Sequence, residues 1–254
     1  MYDTTRGHSF GITIMSLAIN IDQASLDHDF VMMHVCWQQG GAMTILSSMV
    51  FNGARKRSHT LILAHGAGAP MDSPFMATFA EELAAAGLCV GRFEFPYMQR
   101  RRAEGSKRPP DRAPKLLDAW TEVIDAVRVT MPQGGKLFIG GKSMGGRMAS
   151  LIADEQGVDG LICLGYPFHP FGKPEKTRTE HLLDLKTPTL IAQGTRDTMG
   201  GLVAVQGYSL SKAIRLHWLD DGDHSFKPRK KSGRTEDQNW SEAIAEVATF
   251  VKGF

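Results

Sequence analysis

The sequence predicts an α/β fold, a doubly wound and mostly parallel sheet with helices on both faces. Two observations predict it. From His59 onward, short β-rich runs alternate with helical segments, which is the pattern of parallel strands joined by crossover helices. The chain has 254 residues, 42% hydrophobic and 22% charged, so it is long enough to bury one such core and is not of disordered composition.

The elements follow in order. TLILAH, Thr60 to His65, reads as a buried strand. MDSPFMATFAEELAAAG follows as a helix, with Asp72 or Ser73 as N-cap, Pro74 in the first turn and Gly87 as the stop. CVGRFEF, Cys89 to Phe95, is the next strand and ends at Pro96, after which a polar Arg- and Pro-rich stretch reads as a loop. Leu116, Trp120, Ile124, Val127 and Met131 recur at three- to four-residue spacing and mark the buried face of a helix closed by Pro132 and Gly134-Gly135. KLFIGG is a strand, Met144 to Glu155 a helix, and GLICLGY (Gly160 to Tyr166), TPTLIAQG (Thr187 to Gly194) and IRLHWLD (Ile214 to Asp220) are further strands. Trp240 to Val251 reads as a closing helix that buries Ala243, Val247 and Phe250.

The first 48 residues do not join this rhythm, and two readings compete for them: an extension over the domain, or a start codon set too far upstream of Met49. The second is slightly favoured, and the α/β domain is expected over 49–254.

Charge and cysteine content exclude several classes. A net charge of +2 is too small to indicate nucleic acid or an anionic membrane. Cys36, Cys89 and Cys163 form no C-x-x-C pattern, so neither a disulfide framework nor a zinc site is expected, and a reducing cytoplasm is the simplest location. Apolar runs such as Ile12 to Ile19 fall short of the ~20 residues that a membrane span needs. That run also lacks a basic leader free of acid and an A-x-A-like cleavage site, so no signal peptide is expected.

The chemistry lies in KLFIGGKSMGGRMAS, Lys136 to Ser150. Gly141-Lys142-Ser143 matches the end of a phosphate-binding loop, but that motif needs glycine where Lys136 stands and flexible residues where Leu137-Phe138-Ile139 stand. The same letters read as G-x-S-x-G between a strand and a helix, the context in which that motif presents a nucleophilic serine. Small residues at Gly141, Gly145 and Gly146 leave room for the sharp turn.

Partners for Ser143 stand at the ends of later strands. TLIAQG runs into Thr195-Arg196-Asp197 and IRLHWLD runs into Asp221-Gly222-Asp223-His224, the chain order Ser, Asp, His. Ligand crevices of open α/β sheets lie beyond the carboxyl ends of the strands, where these side chains meet. Asp220, Asp221 and Asp223 are rival acids, with Asp197 preferred for its place at a strand end. His65-Gly66-Ala67-Gly68 ends the first strand, so the N–H groups of Ala67 and Met144 are the expected oxyanion donors. His65 is expected to hold that loop. His65, Tyr97, Arg100 and His169 are candidates for the pocket or a lid, with a loop histidine in a structural hydrogen bond an equal reading for His169. Arg100 to Arg112 and Lys227 to Arg234 read either as a preference for acidic substrates or, favoured by composition, as solvated loops.

Together LAHGAGAPMDSPFM, RFEFPYM, GGKSMGGRMAS, YPFHPFGKPEKTRTEHL, QGTRD and DGDHSF resemble the dienelactone-hydrolase-like branch of the α/β-hydrolases. The likeness is strongest to bacterial relatives of the testis-expressed and NSL-complex-subunit hydrolase-like domain, and it covers about residues 49–254. The resemblance implies the α/β-hydrolase fold and a serine-hydrolase triad at Ser143, Asp197 and His224. Dienelactone hydrolases proper use a cysteine nucleophile, so their reaction does not carry over to Ser143. The expected function is hydrolysis of a carboxylic ester or thioester through an acyl-enzyme. A small-molecule substrate is expected, with no cofactor, metal, nucleic acid or membrane; oligomeric state is not legible. Alternatives are a non-catalytic interaction module of this fold and a serine peptidase.

Overall fold

The computed structural model describes residues 41–254. Most of the expected extension, with the Ile12 to Ile19 run and Cys36, lies outside the described residues. Residues 41–47 form helix α1, which buries Ala42 and Leu46 in the same core as the strands that follow.

The described strands are β1 (Val50–Asn52), β2 (His59–Ala64), β3 (Cys89–Phe93), β4 (Lys136–Lys142), β5 (Gly160–Leu164), β6 (Thr189–Gly194) and β7 (Ile214–Leu219). They form one seven-stranded sheet in the order β1-β3-β2-β4-β5-β6-β7. Only β1 runs antiparallel, against β3; the other pairs are parallel. The register sets Ala64 beside Gly141 and Gly141 beside Cys163, which aligns the carboxyl ends of the central strands.

The main helices are α2 (Pro74–Ala85), α3 (Pro96–Glu104), α4 (Ala113–Thr130), α5 (Met144–Ser150), α6 (Ala153–Gln156), α7 (Leu202–Val205) and α8 (Glu236–Lys252). Successive strand residues point to opposite faces. Leu61 and Leu63 accordingly pack with Phe79 of α2 and Val247 of α8, while Ile62 and Ala64 pack with Trp120 of α4 and Met148 of α5. The two helical layers expected from the sequence are therefore present, and the α4 face is the expected one from Leu116 to Val127.

Four differences from the sequence reading have physical causes. β1 is three residues long, too short for any periodicity to show. The stretch expected as a loop after Pro96 is helical, with Pro96 in its first turn and Gly105 as a left-handed C-cap; it buries only Tyr97 and Met98, so it carries no apolar stripe. The helix expected from Met144 to Glu155 breaks after Ser150, where Leu151 and Ile152 donate to carbonyls three residues back in tighter turns. α8 begins four residues before Trp240 because Thr235 and Gln238 form a capping box.

Candidate active site

Strand β4 ends at Lys142 and α5 begins at Met144, so Ser143 alone makes the turn between them. Its φ is 51°, a left-handed conformation that costs a non-glycine residue energy, and its N–H is anchored on the Leu164 carbonyl at 3.0 Å. The turn fits because its neighbours lack side chains: a Cβ on Gly145 would lie 2.4 Å from the Ala64 carbonyl oxygen, and one on Gly141 2.1 Å from it. Backbone on both sides cannot yield cheaply. Gly145→Ala is expected to destabilise the fold by about 3 kcal/mol or more, read from urea unfolding. A loss under about 1 kcal/mol would contradict this packing.

Asp197 follows β6 and is buried. Its Oδ1 accepts from the Met199 N–H at 2.8 Å, and its Oδ2 accepts from Gln193 Nε2 at 2.8 Å. Gln193 is itself fully buried; it also donates to the carbonyls of Tyr166 and Gly200 and accepts from the Tyr166 N–H. One amide thus ties β6, the loop after β5 and the Asp197 carboxylate together. The sequence reading missed it, although a glutamine in the apolar strand TLIAQG was a visible anomaly.

His224 lies in the turn after β7, with Nδ1 2.7 Å from Asp197 Oδ2 and Nε2 2.9 Å from Ser143 Oγ. A carboxylate only accepts, so Nδ1 carries the proton and Nε2 is left to accept from the serine hydroxyl. The turn is clamped from below by Lys142 Nζ, which donates to the His224 carbonyl at 2.6 Å, and by Asn239, which donates to the carbonyls of Asp220 and Phe226. Burial brings the Lys142 ammonium down to about 8. Burial also lowers the His224 imidazole below its ordinary value; the hydrogen bond to Asp197 opposes that shift and the Lys142 charge adds to it.

Of the rival acids, Asp220 is exposed and the other two are engaged elsewhere. Asp221 pairs with Arg229 and Arg196, and Asp223 accepts from the backbone N–H groups of Ser225 and Lys227.

The loop after β2 passes beside the serine: a Cβ on Gly66 would lie 3.7 Å from Ser143 Cβ. His65 is buried and holds this loop, its Nδ1 donating to the Gly66 carbonyl at 2.7 Å while Nε2 accepts from the Phe95 N–H at 3.1 Å. Burial keeps that imidazole neutral by lowering its pKa. Tyr97 is buried too, and its hydroxyl donates to the Ala67 carbonyl at 3.0 Å. Met144 is the first residue of α5, so its N–H has no intrahelical acceptor.

Ser143, His224, Ala67 and Met144 open onto a cavity of about 690 Å³. Phe75, Met76, Leu116, Met148 and Met199 make its wall largely apolar. None of His65, Tyr97, Arg100 and His169 lines it. The first two brace the Gly66-Ala67 turn from behind, Arg100 pairs with Asp111 at 2.7 Å, and His169 is a buried loop histidine whose Nδ1 meets the Pro170 carbonyl at 2.9 Å. Within the basic clusters, Arg102 pairs with Glu94 and Asp72, Arg108 with Glu104, Lys227 with Glu236, and Arg234 with Glu242. Among the described residues no three His, Cys, Asp or Glu side chains converge as metal ligands, and no helix is long and apolar enough to cross a membrane.

A family model described as an alpha/beta hydrolase domain matches residues 57–252. Similar solved structures include a lidless α/β serine hydrolase of Xanthomonas campestris, 20% identical with a TM-score of 0.60 over 80% of this chain and 88% of that one. A dienelactone hydrolase of Anabaena variabilis is 20% identical with a TM-score of 0.59, covering 81% and 92%. A monoacylglycerol lipase of Paleococcus ferrophilus is 14% identical with a TM-score of 0.57, covering 80% and 98%. At these identities the likeness to the three structures is one of fold.

Proposed function

The chain belongs to the α/β-hydrolase family, and from that premise we propose that it is a serine hydrolase of carboxylic esters or thioesters, with Ser143 as nucleophile, His224 as base and Asp197 orienting the base. The observation that carries this reading is the continuous chain Ser143 Oγ, His224 Nε2, His224 Nδ1, Asp197 Oδ2, with its two contacts of 2.9 and 2.7 Å. His224 takes the hydroxyl proton as Ser143 Oγ attacks the acyl carbonyl. Asp197 keeps the imidazole in the accepting tautomer and stabilises its cation.

The developing oxyanion is received by the N–H groups of Ala67 and Met144, each of which contributes about 2.7–4 kcal/mol in sites of this kind. His224 then returns its proton to the leaving alcohol or thiol. Water, deprotonated by the same imidazole, cleaves the acyl-enzyme and restores Ser143.

A panel of p-nitrophenyl esters and acyl thioesters of graded acyl length tests the reading. Turnover of at least part of the panel, above the Ser143→Ala background, is expected; none across the whole panel would leave a non-catalytic fold as the better account.

The same panel gives a pH profile. Protonated His224 cannot accept the serine proton, so kcat/KM falls as pH drops through the imidazole pKa. Burial and Lys142 hold that pKa below the ordinary 6.5. The acid limb is therefore expected to have its midpoint below 6.5 and to move upward in Lys142→Met. A wild-type midpoint above 7 contradicts the assignment of His224 as the buried base.

A further inference from the structure

The cavity that reaches Ser143 also presents two arginines with no acidic partner among the described residues. Arg147 lies one helical turn beyond Ser143 on α5, its N–H bonded to the Ser143 carbonyl at 3.0 Å, and Arg178 comes from the loop after β5; both line the cavity. The Arg178 backbone is pinned on both sides, its N–H donating to the Phe168 carbonyl at 2.8 Å and its carbonyl accepting from the Tyr166 hydroxyl at 3.0 Å.

The other basic residues near the site mostly have a counter-charge, as the pairs at Arg100, Arg102 and Arg108 show. Arg147 and Arg178 form no ion pair among the described residues, and the buried Nε of Arg147 has no acceptor. The one carboxylate in the lining, Asp111, is taken by Arg100 at 2.7 Å and Lys115 at 3.8 Å. The two guanidiniums are also close enough to repel: burial, and then the Arg147 charge, hold Arg178 below its ordinary pKa.

Two neighbouring cations on a partly desolvated wall, with free N–H donors and no counter-ion, are matched by an oxyanion, which accepts from guanidinium forks bidentately. We propose that Arg147 and Arg178 form a subsite for an oxyanion group, a carboxylate or a phosphate, carried by the substrate next to the bond that Ser143 attacks. This rests on the hydrolase reading above. The substrate is then an ester or thioester with an apolar segment against Met148 and Met199 and an anionic end at the two arginines. A preference for acidic substrates, the less favoured sequence reading of the Arg100 to Arg112 and Lys227 to Arg234 stretches, falls instead to Arg147 and Arg178, since Arg100, Arg102 and Arg108 are paired.

The test compares mono-p-nitrophenyl glutarate with p-nitrophenyl valerate, an anionic and a neutral ester of equal acyl length. The glutarate is expected to have the higher kcat/KM by about tenfold or more, the effect of hydrogen bonds to a charged group. Raising NaCl from about 0.05 to about 0.5 M is expected to shrink that ratio. Arg147→Gln and Arg178→Gln should each lower the ratio about tenfold, chiefly through KM for the glutarate, with Arg178→Lys keeping part of it. Inhibition by glutarate against inhibition by butyl phosphate tells a carboxylate site from a phosphate site.

A ratio near one that ignores salt, or a ratio unchanged in both variants, overturns the subsite while valerate turnover leaves the hydrolase reading standing. If a glutamine variant fails to fold, the salt series on the wild type decides. If neither ester is cleaved and a fluorophosphonate does not label Ser143, the hydrolase reading fails instead. The subsite is then judged by calorimetric titration of glutarate and butyl phosphate: binding that is lost in the double glutamine variant supports it, and no binding to the wild type overturns it.

Discussion

Ser143→Ala is expected to lower kcat on any p-nitrophenyl ester that the wild type cleaves by about 10⁵-fold or more, with the fold retained. The oxygen it removes is the atom proposed to attack the acyl carbonyl. The backbone keeps its φ of 51°, the bond from its N–H to the Leu164 carbonyl and the close passage of Gly145 under Ala64. Alanine carries the same Cβ, so the strain of the turn is unchanged. The cost to stability is one half-exposed hydrogen bond to His224 Nε2, on the order of 1 kcal/mol. Residual activity of the oxyanion donors and the cavity is all that remains. Steady-state kinetics with a urea unfolding curve checks both halves; a loss of activity under about tenfold would exclude Ser143 as the nucleophile.

Asp197→Asn is expected to cost about 10⁴-fold in kcat, and the hydrogen bonds around the carboxylate say why. Both carboxylate oxygens are acceptors: Oδ1 takes the Met199 N–H, and Oδ2 takes Gln193 Nε2 and His224 Nδ1. An asparagine has one acceptor oxygen and one donor nitrogen. With its oxygen kept on the Met199 N–H, its NH₂ faces two donors. His224 escapes the clash by moving its proton to Nε2, and in that tautomer it no longer accepts from Ser143. Gln193 is left facing a donor in a buried place, so a stability loss of about 1–3 kcal/mol is expected as well. The loss of activity is nevertheless far larger than that instability explains. A fall in kcat of less than about 100-fold in a folded Asp197→Asn protein would mean that some other group orients His224.

What was legible in the sequence follows from where local pattern and tertiary structure agree. Strands β2 to β6 are apolar runs bounded by turn residues, because each is covered on both faces, whereas β7 at the sheet edge is only half-buried. The elbow at Ser143 was readable because its glycines answer a steric demand that no other residue meets, as the contacts of Gly141 and Gly145 with the Ala64 carbonyl show. The meeting of Ser143, Asp197 and His224 was inferred from strand ends alone, and the parallel register of β4, β6 and β7 about β5 brings those ends to one edge.

Less legible were features fixed by long-range pairing. That Asp221 is drawn off by Arg229 and held down to about 2, and that Asp223 serves its own turn, depends on side-chain geometry that spacing does not encode. The pairing of the Arg100 to Arg112 stretch was only partly legible: Arg100 and Arg108 pair with Asp111 and Glu104 inside it, but the partners of Arg102, Glu94 and Asp72, lie outside it. Arg147, by contrast, looked like an ordinary helix residue. Its place one turn after Ser143 was visible, but its lack of a counter-charge was not.

The most direct measurement is covalent. Incubation with a fluorophosphonate, followed by digestion and peptide mass mapping, is predicted to give one adduct, on the peptide that contains Ser143. Ser143→Ala is predicted to remain unlabelled, and His224→Ala to react slower by about 10³-fold or more for want of its base. An adduct on another residue, no adduct on the wild type, or equal labelling of Ser143→Ala would contradict the account.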